Sequence, residues 1–173
     1  MKALIIDDEN KARRLLKRLL EEQCPEIETI MQASDLESGV KIIKSHKPDI
    51  VYLDIEMPKY SGLQILELLE GTVIGFQIIF TTAYNQYALD AFKLSAIDYL
   101  LKPIDREELK SSTNKAVSLL NEKSINNQLQ DLKKAFFFSY NTGLKMGKIA
   151  KLKWKNLYKT NNDKNPIHYF KIT

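Results

Sequence analysis

Three carboxylates stand where two short apolar runs stop. One run is Lys2-Ala-Leu-Ile-Ile-Asp7-Asp8-Glu9, and the other is Pro48-Asp-Ile-Val-Tyr-Leu-Asp54-Ile-Glu-Met-Pro58. Short apolar runs of this kind read as buried strands of a parallel sheet. In an open α/β sheet, ligands gather at the carboxyl ends of the strands. Neighbouring strands would therefore bring Asp7, Asp8 and Asp54 into one small space. Like charges that close raise one another's pKa, so the cluster is unfavourable without a cation. An all-oxygen donor set suits Mg²⁺, which keeps several waters and a phosphate in its shell. Two further runs end in useful groups. Ile78-Ile-Phe-Thr81-Thr82-Ala83 ends in hydroxyls, and Asp98-Tyr99-Leu-Leu-Lys102-Pro103 ends in an amine before a proline. Together these form a chemically complete set for Mg²⁺-assisted phosphoryl transfer. Asp54 would be the nucleophile on phosphorus, Lys102 a fixed positive charge, and Thr82 a hydrogen-bond partner for a phosphoryl oxygen.

The elements that must hold these groups alternate along the chain. Strands are predicted at 2–6, 27–32, 49–53, 76–81 and 96–100. Helices are predicted near 9–22, 35–45, 61–70, 84–93 and from 105 onward. Leu15, Leu16, Leu19 and Leu20 supply the apolar stripe of the first helix. Ser34-Asp35-Leu36-Glu37-Ser38 opens the second with capping residues. The fifth starts at Asp105-Arg-Glu-Glu and runs its apolar spacing through Leu109, Ala116, Leu119 and Leu120. Five βα repeats with short loops imply an α/β fold, a parallel sheet wound on both faces.

Charge divides the chain. Residues 1–132 hold 16 Lys and Arg against 21 Asp and Glu, a net −5, whereas residues 133–173 hold 10 Lys and one acid, Asp163, a net +9. Such asymmetry points to two modules with different partners. The reading places one domain at 1–123, a linker or helix extension at 124–132, and a small basic α+β fragment at 133–173. The fragment is read as a helix with its C-cap at Gly143, a short helix over 145–152, a turn at 161–166 and a strand over 167–172. Cys24, alone and before Pro25, reads as a loop residue and excludes an internal disulfide or a multi-cysteine metal site. His46 and His168 have nothing at ligand spacing and receive no role. No apolar run approaches the roughly 20 residues that span a bilayer. The chain enters directly on a strand, so no signal peptide is expected. The expectation is a cytoplasmic protein with no membrane partner.

Residues 1–123 resemble the receiver domain of bacterial two-component response regulators. The matching motifs are Asp7-Asp8, Asp54 followed by Met57-Pro58 and Gly62, Thr82-Ala83, and Lys102-Pro103. The stretch from Phe80 to Phe92, with Ala96 to Pro103, is similar to receivers of the LytTR (LytR/AlgR) class. The resemblance implies a flavodoxin-like, five-stranded parallel sheet of order 2-1-3-4-5. It implies Asp54 as phosphoacceptor, with Asp8, Asp54 and the Glu56 backbone carbonyl on Mg²⁺ and Asp7 touching the metal through water. It implies Thr82 and Lys102 as switch residues, Tyr99 as an aromatic rotamer switch, and a cis Lys102–Pro103 bond. The implied partner is a sensor histidine kinase. The role is that of a phosphoaccepting switch, not a turnover enzyme. A homodimer is carried as a further partner. Some of these residues also fit simpler readings. Asp7-Asp8 alone fits a solvated loop, and Tyr99 fits plain packing, because aromatics favour strands.

The LytTR class continues into a DNA-binding domain whose pattern is absent from the roughly 40 residues that follow. Instead, Ala135 to Leu157 resembles the start of a tyrosine-recombinase (phage integrase) catalytic domain, with Asn141-Thr-Gly-Leu-Lys145 and Leu152-Lys-Trp154 as its marks. Lys145 stands where that family has a catalytic Arg, and Lys cannot reproduce a bidentate guanidinium grip on phosphate. Recombinase activity is therefore not expected. Two readings of the tail stay open. A basic face with Trp154 and Tyr158 could bind DNA weakly and without sequence preference, giving a transcriptional or recombinase-derived DNA-binding protein. Alternatively the tail is a solvated remnant, which is the preferred reading.

Overall fold

The computed structural model describes residues 1–70 and 75–142. The chain divides into two compact units, Met1–Lys123 and Ser124–Thr173. The first contains β1 (Lys2–Ile6), α1 (Asn10–Gln23), β2 (Thr29–Ala33), α2 (Leu36–His46), β3 (Ile50–Leu53), a 3-10 turn (Gly62–Gln64), α3 (Ile65–Leu68), β4 (Gln77–Thr82), α4 (Ala88–Lys93), β5 (Asp98–Leu101) and the start of α5 (Arg106–Thr142). The five strands form one sheet in the order β2-β1-β3-β4-β5, every neighbouring pair parallel. This is the doubly wound α/β order expected from the sequence.

Strand side chains alternate between faces, so each strand feeds two cores. Leu4, Ile6, Val51, Leu53, Ile78 and Phe80 pack with Leu36, Val40 and Ile43 of α2, Ile65 of α3 and Ala91 of α4. Ala3, Ile5, Ile50, Tyr52 and Ile79 pack with Leu16, Leu19 and Leu20 of α1 and Leu109 and Ala116 of α5. The split follows from winding. The connection from β1 to β2 runs one way along the sheet, and the later ones run the other way. Right-handed crossovers then put α1 on one face and α2, α3 and α4 on the opposite one. The reversal falls between β1 and β3, where Ile6 is level with Leu53. Asp7 and Asp54 are the next residue on each strand.

The differences from the predicted elements have local causes. Strand β2 begins at Thr29, not at 27, because the Ile27 amide closes a turn on the Cys24 carbonyl at 3.0 Å. The predicted helix at 61–70 is a 3-10 turn followed by the four residues of α3. Ser61 caps it through a reciprocal pair with Gln64. The predicted helix at 84–93 begins only at Ala88, since residues 84–87 form a loop with tertiary hydrogen bonds. The remaining boundaries shift by one or two residues. Leu15 leaves the predicted stripe and is 55% exposed, and Leu119 is also partly exposed. Cys24, predicted as a loop residue, caps the end of α1, and its side chain is buried in the core.

In the second unit, residues 124–142 continue helix α5, so the stretch 124–132 is helical. Ile125, Leu129 and Leu132 are exposed along it. The Gly143 cap, the short helix at 145–152, the turn at 161–166, the strand at 167–172, and Lys145, Trp154 and Tyr158 all lie outside the described residues.

Candidate functional site

The carboxyl ends of β1 and β3 meet as their register requires. The Asp54 amide donates to the Ile6 carbonyl at 2.8 Å, and the Asp7 amide to the Ala33 carbonyl at 3.2 Å. Asp7, Asp8 and Asp54 each bring a carboxylate oxygen within 4.8 Å of the other two. Asp7 and Asp54 are buried, and Asp8 is exposed. The pocket is thus walled by protein on the sheet side and open to solvent at Asp8.

Lys102 arrives from β5. Strand β4 leads to it, because the Lys102 amide donates to the Thr82 carbonyl at 2.7 Å. The Lys102–Pro103 bond is cis. The Lys102 ammonium reaches Asp7 Oδ2 at 2.7 Å and Asp54 Oδ2 at 2.6 Å. Burial alone would lower the Lys102 pKa, but hydrogen bonds and charge from the two aspartates overcome it and raise the value. Burial pushes the Asp54 carboxyl above its usual range, the Asp7 charge adds to that, and Lys102 only partly opposes them. Within this cluster three carboxylates face one ammonium, which leaves two negative charges uncompensated. Two of the three carboxylates, Asp7 and Asp54, are buried, and holding three this close is costly unless a cation enters.

The second Asp54 oxygen is less engaged. Asp54 Oδ1 accepts a long bond from the Glu56 amide, at 3.3 Å. Asp7 Oδ1 accepts from the Glu9 amide at 2.9 Å. The donor set is all oxygen, carries an excess of two charges and opens at an exposed carboxylate, so it fits a hard divalent ion such as Mg²⁺.

The loop after β3 is shaped by Gly62. A Cβ added there would lie 2.1 Å from the Asp54 carbonyl oxygen, so only glycine permits the approach. The Gly62 amide and the Ser61 hydroxyl both donate to the Ile55 carbonyl, at 2.9 and 3.1 Å. This folds the loop back beneath the acceptor.

Thr82 ends β4 fully buried, and its Oγ1 accepts from the Tyr84 amide at 3.4 Å. The loop beyond it carries two contacts to other elements and one within itself. The Tyr99 hydroxyl of β5 donates to the Tyr84 carbonyl. The rings of Tyr84 and Tyr87 meet edge to face, with centroids 6.3 Å apart. The Tyr87 hydroxyl donates to Glu56 Oε1 at 2.7 Å. The Glu56 charge and a hydrogen bond to it push the Tyr84 phenol up.

All the predicted site residues therefore lie around one end of the sheet. Asp7, Asp8 and Asp54 are in mutual reach, Lys102 bonds the first and last of them, Glu56 follows on the loop, and Thr82 and Tyr99 stand on the next two strands. Sequence reasoning missed Arg13, whose Nη1 donates to the Asp7 carbonyl at 2.6 Å and the Asp8 carbonyl at 3.0 Å. Its position one turn into α1 was the available signal. It also missed Tyr87, whose partner lies on a different loop.

Comparison with known proteins settles the family. The family model for the response regulator receiver domain matches residues 3–114. The chain belongs to the response regulator receiver family. This receiver is 50% identical over 109 residues to an uncharacterized response regulatory protein of Vibrio cholerae, covering 63% of this chain and 45% of the relative. It is 42% identical over 115 residues to the sensory transduction protein LytT of Bacillus anthracis, covering 66% of this chain and 46% of the relative. The response regulatory domain of protein mrkE from Klebsiella pneumoniae superposes with a TM-score of 0.61 at 28% identity, covering 70% of this chain and 99% of that one. The receiver spans about half the length of the curated relatives it matches. Among the described residues, no helix is long and apolar enough to cross a membrane.

Proposed function

We propose that this receiver, read as residues 1–123, acts in the cytoplasm and accepts a phosphoryl group on Asp54 from the phosphohistidine of a sensor histidine kinase. The observation that carries this reading is the Lys102 ammonium held between Asp7 Oδ2 and Asp54 Oδ2, beside three carboxylates within 4.8 Å of one another. An Asp54 oxygen attacks phosphorus in line. The O–P bond forms as the P–N bond of the donor breaks, and the electron pair returns to the imidazole nitrogen. Lys102 holds a positive charge beside the acceptor that meets the charge of the transferring group. Asp8, Asp54 and the Glu56 backbone carbonyl would hold Mg²⁺, with Asp7 reaching it through water. When bound, the ion neutralises phosphoryl oxygens and offsets the carboxylate excess. The role is storage of an aspartyl phosphate rather than turnover of an external substrate.

Acceptance adds negative charge at Asp54. Thr82 and Lys102 then turn toward the phosphoryl oxygens, and Tyr99 responds beside the space that Thr82 leaves. The output is a population shift on the face formed by α4, β5 and α5, worth a few kcal/mol at most. Replacing Asp54→Asn abolishes labelling by a small phosphodonor such as acetyl phosphate in the presence of Mg²⁺. Label that survives the change would assign the acceptor elsewhere. Multiple turnover on a phosphate ester would favour a phosphatase of related fold.

A further inference from the structure

The loop between β4 and α4 is tied down at a place that phosphoryl acceptance alone does not require. Tyr87 closes this loop, and its hydroxyl donates to the Glu56 carboxylate at 2.7 Å, across from the loop that follows β3. Glu56 is two residues beyond Asp54, and its amide already donates to Asp54 Oδ1 at 3.3 Å. At the other end of the loop, the Tyr84 amide donates to Thr82 Oγ1 at 3.4 Å. Tyr84 and Tyr87 are joined edge to face. One continuous chain of contacts thus runs from the acceptor, through Glu56 and Tyr87, to the hydroxyl of Thr82. All these residues belong to the unit Met1–Lys123.

We infer that Tyr87 is a positioning residue that acts through Glu56 as a latch, holding the Thr82 loop in its resting place until Asp54 is phosphorylated. The inference rests on the phosphoacceptor reading above. Two physical arguments support it. First, turning the Thr82 hydroxyl toward a phosphoryl oxygen gives up its bond from the Tyr84 amide, which belongs to the loop that the Tyr87–Glu56 bond ties down. Second, a phosphoryl group on Asp54 adds negative charge two residues from Glu56, whose carboxylate accepts the Tyr87 bond, and like charges repel. The latch is therefore a contact of the resting conformation that the phosphorylated one weakens. Removing a contact made in only one of two states shifts the equilibrium toward the other.

The test uses the full chain with Mg²⁺ and beryllofluoride, a phosphoryl mimic, titrated calorimetrically. Tyr87→Phe keeps the ring and its contact with Tyr84 and removes only the hydroxyl. The expected result is beryllofluoride binding about threefold to tenfold tighter than wild type, the range for losing one solvent-exposed hydrogen bond of ordinary net strength. In a Glu56→Ala background the same Tyr87→Phe change then has no further effect, because the latch has already lost its acceptor. Equal or weaker binding by Tyr87→Phe overturns the proposal. So does an undiminished gain in the Glu56→Ala background. A fall in both affinity and melting temperature would make Tyr87 a packing residue and also overturn it. Wild type that fails to bind beryllofluoride, as Asp54→Asn is expected to fail, would remove the phosphoacceptor reading and the latch together.

Discussion

Two polar clusters interrupt the core of the first unit, and they are built on opposite principles. On the α1–α5 face, the Tyr52 hydroxyl lies 2.8 Å from Thr113 Oγ1, which itself donates to the Leu109 carbonyl at 2.8 Å. A hydroxyl has one proton, so Tyr52 must donate to Thr113. Every polar proton of that pair is used and no charge is involved. Burial pushes the Tyr52 phenol and the neighbouring Cys24 thiol up, which keeps both neutral. At the carboxyl ends of β1 and β3 the arrangement is the reverse, with three carboxylates sharing one ammonium. The closed cluster contributes to stability and has nothing left to bind. The open one carries an excess charge that a ligand must complete. Here the cluster whose charge is unfinished is the candidate ligand site, and the one whose bonding is finished is structural.

The largest expected effect comes from disturbing the frame of the open cluster. Gly62→Ala drives a Cβ against backbone, where no flexible side chain can yield, and lowers stability by about 3 kcal/mol. Chemical denaturation of the variant measures this, and an unchanged midpoint would mean that the loop is not held against Asp54.

The next effect separates the two clusters directly. A cation that binds only the folded state stabilises it by about 2.7 kcal/mol at a concentration a hundred times its Kd. Mg²⁺ should raise the melting temperature of wild type and of Thr113→Val by the same increment, while Asp54→Asn loses most of it. Equal increments in all three proteins would place the ion outside the cluster.

Within the closed cluster, Thr113→Val strands the buried Tyr52 hydroxyl and costs about 2 kcal/mol, whereas Tyr52→Phe leaves Thr113 its Leu109 acceptor and costs about 1 kcal/mol. Denaturant midpoints in that order support the donor assignment, and the opposite order reverses it.

The smallest effect concerns Asp98, which joins β5 to α5. Burial works to raise its pKa, but hydrogen bonds from Lys115 and Ser112, at 2.7 and 2.6 Å, overcome it and hold the carboxyl below its usual range. A carboxyl with a depressed folded-state pKa adds stability above its unfolded value, and that contribution disappears as pH falls through the folded value. Asp98→Asn should therefore cost about 1 kcal/mol at neutral pH after solvent screening. The gap to wild type should close as pH drops below the ordinary aspartate range, about 4. A gap independent of pH would assign the loss to packing.

The strands, their order of appearance and the acids at their ends were legible in the sequence because these signals are local. An apolar run of Leu4, Ile5 and Ile6 that stops at Asp7 announces both a buried strand and a site at its end, and the run before Asp54 does the same. The Asp105 cap was equally readable, and its carboxylate accepts from the Glu107 and Glu108 amides at 2.9 and 3.0 Å. Thr82 and Lys102 could be named from type and spacing. Tertiary structure alone decided which oxygens of Asp7 and Asp54 Lys102 takes, that Gly62 must lie against the Asp54 carbonyl, and that Tyr87 reaches Glu56. It also decided that Leu15 faces solvent although it belongs to the apolar spacing of α1. Each of these depends on where separate elements come to rest against one another. A pattern of period two or 3.6 records which face of an element is apolar, and it carries no term for a partner that arrives from another strand or loop.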